Sequence, residues 1–371
     1  MNGRPMELTG LLDAVAAAGV VGAGGSGRSI SQSLAGRCYR RLIVNAAQSE
    51  PLFAKDWAAL AHFPDCVLDG ARLLVEALGL THASIAVRDE FLPALPGLAA
   101  RAQRQGVTLV RLPDRYPLGY EKLLKREVLG PAADGEAGDT TLVLNAETVR
   151  NLSWAVRRAW PLCSKLITVA GAVRQPVTLS VPLGISFADC LTLAGGAPGA
   201  YAVWRNGALS GQRVNADTAW VDAATLGYLV LPAGHELLAE VVAGDAAAVR
   251  MAERRAAFLN DTADGRPQPM SAACALFGLT PFHRPRPIYK AVRRDDALPA
   301  RVRLVPVPGS GGFEPCVAAG TVVKRGDCVA IQPANGSLRT HASVDGLIEA
   351  CGPDGISIVR QAPSGACDAR A

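Results

Sequence analysis

Four glycines follow Gly19 within the stretch GVVGAGGSG, at Gly22, Gly24, Gly25 and Gly27. Positions without a Cβ let a backbone bend tightly and turn several amides toward one anion, so the chemistry on offer is a phosphate cradle. The run lacks the Lys-Ser/Thr ending of a P-loop, and taken alone it serves equally well as a plain turn. Downstream, LIVNAAQSEP is a β-branched run emptying into a polar turn at Asn45 to Pro51, so two loops face one prospective ligand.

The elements that must position these loops alternate between helix and strand. An apolar helical segment, Leu8 to Ala18, precedes the glycines. RLIVNAA then reads as a buried strand, CVLDGARLLVEALG as an amphipathic helix ending at Gly79, and HASIAVRD as a second strand. LPGLAARAQRQG is a helix stopped by Gly106, and VTLVRLP a third strand. Strands separated by helices of this length imply βαβ crossovers and a parallel sheet, whose ligands collect at the carboxyl ends of the strands. Asn45, Asp89 and Pro113 stand at those ends.

At 371 residues the chain exceeds one ordinary core and divides into modules. Residues 1–160 are the α/β domain. Residues 161–232 change texture to short alternating runs, KLITVAGAV and QPVTLSVPLG, with a helix at FADCLTLAGG, which makes a small α+β module. Residues 233–298 are helical at first (LLAEVVAGDAAAVRMAERRAAFL) and then a Pro/Arg-rich connector, FHRPRPIYK. Residues 299–362 form an all-β module punctuated by Gly-Asp and Asp-Gly turns, and residues 363–371 are a small, polar tail expected to fray.

Composition excludes several classes. Hydrophobic residues make up 49% and charged residues 19%, and the formal charge of +5 is too small and dispersed for nucleic acid. The Arg clusters at Arg37, Arg40 and Arg41 and at Arg284, Arg286, Arg293 and Arg294 read as solvated faces. Nine cysteines are scattered singly without a CxxC pair, which favours a reducing compartment and reads as neither a metal centre nor a disulfide framework. No run reaches transmembrane length and no signal peptide is expected, so the expectation is a cytoplasmic protein with no integral membrane segment.

Four motifs in order resemble a known family. The glycine loop resembles GxxGxGGAGFPT, NAAQSEP resembles NA(D/A/V)E(C/G/S)EP, YPLGYEKLL from Tyr116 to Leu124 resembles YPxGxEKxL, and VLNAETVRNL resembles VxNVETxxN. These are motifs of the flavin-bearing, NADH-binding subunit of respiratory NADH dehydrogenase and its RnfC-type and PduS-type relatives. The order of modules is closer to PduS. The resemblance implies an α/β fold: a Rossmann-like parallel-sheet flavin domain, then a β-grasp SLBB module carried by KLITVAGAV, and a C-terminal barrel-sandwich hybrid carried by VAAGTVVKRGDCVA and HASVDGLI. It also implies FMN as cofactor, its phosphate held by Gly22, Gly24, Gly25 and Gly27, with Arg28 as a substitute cation. Asn45, Asn145 and Thr148 would hydrogen-bond the flavin. Glu50, Tyr116, Gly119 and Glu121 match positions lining the flavin and nicotinamide cleft, with Glu50 and Glu121 as the catalytic carboxylates and NAD(P)H as hydride donor.

The chain also departs from the family. Where GFPTxxK should follow the loop, Arg28, Ser29, Ile30 and Ser33 stand instead, so the aromatic and the lysine are missing. The acidic NADE becomes Asn45, Ala46, Ala47 and Gln48. In MSAACALFGLTPFHRPRP, Cys274 stands alone where relatives carry cysteine runs, so no iron–sulfur cluster is expected. The hairpin tip Pro333 to Ser337 lacks a carrier lysine, which makes the last module structural, and His341 there has no second ligand-type neighbour. The leading reading is an FMN-dependent electron-transfer flavoprotein or NAD(P)H-linked reductase. It would deliver electrons to a redox partner protein or small-molecule acceptor, as a homo- or hetero-oligomer. The rivals are a non-redox descendant using the cleft for another phosphorylated ligand or as an assembly scaffold, and a corrinoid-binding or corrinoid-reducing protein.

Overall fold

The structure is a computed structural model that describes residues 6–48, 50–237, 253, 256–258, 268–283, 288–291, 298–307 and 309–361. Most of the expected helix at the start of the connector, the Arg284 to Arg294 cluster and the C-terminal tail lie outside the described residues.

Helices α1 (Leu8–Ala17) and α2 (Ile30–Leu34) flank the glycine loop and lead into β1 (Arg41–Ala46). The chain continues through α3 (Lys55–His62), α4 (Pro64–Leu78), β2 (His82–Arg88), α5 (Leu98–Arg104), β3 (Thr108–Leu112) and the short β4 (Arg115–Tyr116). It then passes through α6 (Glu121–Leu129) and α7 (Glu136–Asp139) to β5 (Thr141–Asn145) and α8 (Ala146–Arg158). The sheet is wholly parallel, in the order β3-β2-β1-β5. Side chains alternate along β1 with the strand's period of two. Leu42, Val44 and Ala46 enter the larger core with Leu11, Leu74 and Leu152, while Ile43 enters a smaller one with Leu123 and Leu124 of α6. Both faces are therefore covered, which is why these strands read as continuous apolar runs.

In the second module β6 (Ser164–Gly171), β7 (Val177–Pro182), α9 (Phe187–Leu193), β8 (Tyr201–Arg205), β9 (Gln212–Val214) and β10 (Gly227–Pro232) follow in turn. Ser186 caps α9, accepting from the Asp189 amide at 3.0 Å. The connector does more than link modules. Its β11 (Gln268–Pro269) pairs with β4 and leads into α10 (Met270–Leu276), and its β12 (Ile288–Ala291) adds to β7, giving the order β12-β7-β6-β10-β8-β9. An edge strand with unpaired amides is thereby covered.

The last module packs two sheets over a core containing Val302, Val329, Ile348, Ile356 and Ile358. One sheet is β13 (Arg301–Leu304), β19 (Gly355–Arg360), β18 (Gly346–Gly352) and β15 (Val322–Val323); the other is β14 (Glu314–Pro315), β16 (Cys328–Gln332) and β17 (Leu338–His341). No helix among the described residues is long and apolar enough to cross a membrane.

Candidate functional site

The strand order reverses between β1 and β5, because β2 and β3 lie to one side of β1 and β5 to the other. A crevice opens at the carboxyl ends of two such strands. Asn45 and Asn145 are register partners at those ends. Asn45 Nδ2 donates to the Gly119 carbonyl at 2.8 Å and its Oδ1 accepts from the Ala47 amide at 3.0 Å, drawing the YPLGY loop over the end of β1. Asn145 caps α8: its Oδ1 accepts from the Glu147 amide at 3.1 Å and from Lys55 Nζ at 3.3 Å. With the oxygen so engaged, Nδ2 is turned to the other side, where a Cβ on Gly24 would lie 3.9 Å from it.

The glycine loop closes at its base. The Gly22 amide donates to Arg28 O at 2.9 Å, Gly27 to Gly22 O at 3.1 Å, and Ala23 to Thr148 Oγ1 at 2.9 Å. Among the described residues the amides of Gly24, Gly25 and Ser26 donate no hydrogen bond, and Gly24 and Ser26 are exposed. Three successive free amides on an exposed bend are the kind of backbone that can bind an anion. Gly25 has φ +101°, a conformation that L side chains rarely adopt. The Arg28 side chain is exposed beside this tip and has no ion pair among the described residues. Thr148 is fully buried beneath the loop, so its role is to hold Ala23 in place.

Both later modules grip the loop. Gly25 rests on Leu226 of the second module, and a Cβ on Gly27 would collide with the Val307 side chain of the last module. The hairpin tip between β16 and β17 supplies Asn335, whose Oδ1 accepts from the Ser29 amide at 3.0 Å and whose Nδ2 donates to Gly27 O at 2.9 Å. The tip without a carrier lysine is thus a clamp. Asn335 is buried, and Asn335→Ala leaves a buried donor and acceptor unpaired at about 1–3 kcal/mol each. The expected result is faster hydrogen exchange at Gly27 and Ser29, read by mass spectrometry, with the α/β core unchanged.

Under the crevice lies a buried charge cluster. Glu147 Oε2 accepts from Lys165 Nζ at 3.0 Å and Lys55 Nζ at 3.3 Å, and its Oε1 accepts from the Leu166 amide at 2.7 Å. Lys165 Nζ also donates to Ala23 O at 3.1 Å, and Lys55 pairs with Asp56 at 2.6 Å. Burial pushes the Glu147 carboxyl up, but Lys165, Lys55 and Arg150 outweigh it and hold the group at about 2. Burial brings Lys165 down to about 8 against the attraction of Glu147, whereas for Lys55 the pull of Asp56 and Glu147 overcomes burial and raises it. One carboxylate therefore ties α8, α3, the loop and β6 together.

Other expected site residues have different surroundings. Glu50 is buried, its carboxylate accepting from the amides of Leu209 and Ser210 at 2.8 and 2.9 Å and from Ser210 Oγ at 2.5 Å. A carboxylate spent on a turn of the second module is a strut and not an open base. The Tyr116 hydroxyl donates to Glu50 O at 2.6 Å, and its ring lies fully buried under the Arg88 guanidinium; burial raises the phenol pKa and Arg88 acts against it. Glu121 is exposed at the start of α6, paired with Lys125 at 2.7 Å within its own helix. The catalytic roles expected for Glu50 and Glu121 therefore have no geometric support. Gln48, replacing an acid, is buried at the start of α3; with its amide oxygen facing that helix it accepts from the Asp56 and Trp57 amides at 2.8 and 2.6 Å. Cys274 is buried in α10 within the core that holds Tyr116 and Phe277. His341 is buried beside Gly19, and burial, reinforced by Arg339, lowers it to about 4.

Lys55, Lys165 and Asn335 escaped the sequence reading. Lys165 had a usable signal, a lone cation opening an otherwise apolar strand. Asn335 had none, because its partners are more than 300 residues away.

The parallel α/β domain and the module that follows it are each matched by a family model. Residues 15–154 match the Nuo51 FMN-binding domain and residues 166–211 match the SLBB domain. The chain is 35% identical over 229 residues to "Cobalamin reductase PduS" of Citrobacter freundii, covering 60% of this chain and 50% of that protein. It is 27% identical over 202 residues to a component of the "Proton-translocating ferredoxin:NAD(+) oxidoreductase complex" of Clostridium ljungdahlii, covering 53% of this chain and 44% of that one. The chain thus spans about half the length of the curated relatives it matches. A chain of the air-oxidised NAD+-reducing [NiFe]-hydrogenase shares the fold, with a TM-score of 0.53 and 24% identity, over 70% of this chain and 54% of that chain.

The fit to FMN can be tested on the loop itself. Free amides at Gly24, Gly25 and Ser26 suit its phosphate, and the free Asn145 Nδ2 beside them suits a carbonyl or hydroxyl of the same molecule.

Proposed function

We propose that this chain is an FMN-dependent electron-transfer flavoprotein that takes electrons from NAD(P)H and passes them to a docked redox partner or a small-molecule acceptor. The observation that carries the reading is the nest of three free amides beside Asn145 at the switch point. Gly24, Gly25 and Ser26 hold the phosphate, Lys55 fixes the orientation of Asn145, and Thr148 and Asn335 hold the loop in shape. Bound there, FMN supplies hydride acceptance and one-electron release. The module order and the Citrobacter relative make a corrinoid one candidate acceptor. Cys274 alone at the position of the cysteine runs speaks against an iron–sulfur relay, so electrons leave directly for the partner.

The nicotinamide side is weaker in this chain than in its relatives. The aromatic and the lysine after the glycine loop are missing, and the loss of a charge-assisted contact costs about 1.5–3 kcal/mol, or roughly one to two orders of magnitude in affinity. Arg28 is the cation available to compensate. Anaerobic reduction of the flavin-loaded protein by NADH is expected to be slow, and Arg28→Ala to slow it further while reduction by dithionite is unaffected. Fast reduction at micromolar NADH, indifferent to Arg28→Ala, would overturn the role of Arg28. The sealed Glu50 and the helix-capping Gln48 favour a second reading, a non-redox descendant binding another phosphorylated ligand. Flavin that binds yet is reduced by no concentration of NADH or NADPH would select it.

A further inference from the structure

Two cysteines of the last module come onto neighbouring strands although the sequence scatters them. Cys316 follows β14 and Cys328 opens β16, and these strands are antiparallel neighbours with Pro315 opposite Ala330. The Cys316 amide donates to Val329 O at 2.8 Å, next along the chain from Cys328. In a regular strand Cys328 and Val329 would point to opposite faces. The pairing of β16 with β17 slips between Cys328 and Ala330, and a bulge of this kind re-aims a side chain. Cys316 and Cys328 are thereby diagonal neighbours across the two strands, the Cys316 thiol donating to Glu314 O at 3.9 Å and the Cys328 thiol to Ala330 O at 3.7 Å. Cys316 is exposed and Cys328 half-buried, so Cys316 is the more open of the two to a reagent. That is the arrangement of an attacking and a resolving thiol.

We propose that Cys316 and Cys328 form a redox-active dithiol that reacts with low-molecular-weight disulfides. The Cys316 thiolate attacks one sulfur of the disulfide, releasing one thiol and leaving a mixed disulfide on Cys316. Cys328 then loses its proton and attacks the Cys316 sulfur, expelling the second thiol. Two protein thiols and one small disulfide become one protein disulfide and two small thiols, with two electrons and two protons passing to the reagent. The order of attack follows from exposure, and it agrees with the thiol chemistry: burial, together with Cys316, raises the Cys328 thiol, while Arg339 acts in the opposite direction.

The test uses the full chain and glutathione disulfide as probe, followed by alkylation of free thiols, trypsin digestion and mass spectrometry. Trypsin cuts after Lys324 and Arg325, between the two cysteines, so the bond would join two separate peptides. The expected result is a linked Cys316–Cys328 peptide pair in the wild type, with both sites losing alkylation together. Cys328→Ser should instead accumulate glutathione on Cys316, and Cys316→Ser should leave Cys328 alkylated. The wild-type peptide pair needs no variant, so poor folding of either substitution does not blunt the test. A wild type that stops at the mixed disulfide, that joins Cys316 to another cysteine, or that keeps both thiols free would overturn the proposal.

Discussion

Glu147→Gln is expected to lower the stability of the protein by about 3–5 kcal/mol, the usual cost of removing one partner from a buried ionic cluster. Glu147 is fully buried, and its carboxylate is the common acceptor for Lys55, Lys165 and the Leu166 amide. Glutamine keeps the shape but removes the main charge opposing Lys165, leaving it the weaker attraction of Asp56 against repulsion from Lys55. Urea unfolding of the variant should show a lower midpoint with little change in slope. The acid limb carries a second signature. Glu147 has a folded value of about 2, below its ordinary 4.5, so its contribution is present above about pH 4.5 and disappears as pH falls through 2. The wild type should lose stability across that window, and the variant should lack that part of the slope. Lys165 gives a slope of the same sign in a higher window: its folded value of about 8 lies below the ordinary 10.5, so stability again rises as pH climbs between them. An unchanged midpoint in Glu147→Gln would mean that the cluster does not hold the modules together.

Gly24→Val with Gly25→Val should abolish FMN retention while leaving the far-ultraviolet circular dichroism of the domain intact. Gly24 faces Asn145, so a branched side chain there fills the space beside Nδ2. Gly25 at φ +101° tolerates no β-branched residue without a shift of the bend, which disperses the three free amides. Equilibrium dialysis against FMN measures the effect, and the expectation is a loss of at least about two orders of magnitude, the scale of two lost charge-assisted hydrogen bonds. Wild-type occupancy in the double variant would show that the loop is not the phosphate site.

The sequence made legible what is local. The tight glycine-rich bend, the strand that runs through Asn45 and the αL stop of α4 at Gly79 all depend on neighbours within a few residues, where residue type alone constrains the backbone, whereas β5 before Asn145 was not read as a strand. Glu50 and Tyr116 were another matter. Their motifs pointed to the cleft, but their partners are a turn near Ser210 and a buried Arg88, set by how the second module docks. The connector strands β11 and β12 were unreadable for a related reason: two- and four-residue strands gain their identity from the edge they complete, not from a pattern of their own. Asn335 shows the same limit, since the missing lysine at the hairpin tip was visible and the clamp that replaces it was not.

The most direct measurement is the visible spectrum of the purified full chain after incubation with FMN and removal of the excess. The account predicts a yellow protein with one FMN per chain, bound without a covalent bond and released intact when the protein is unfolded. A protein that stays colourless at saturating FMN, while its fold is intact, would contradict it.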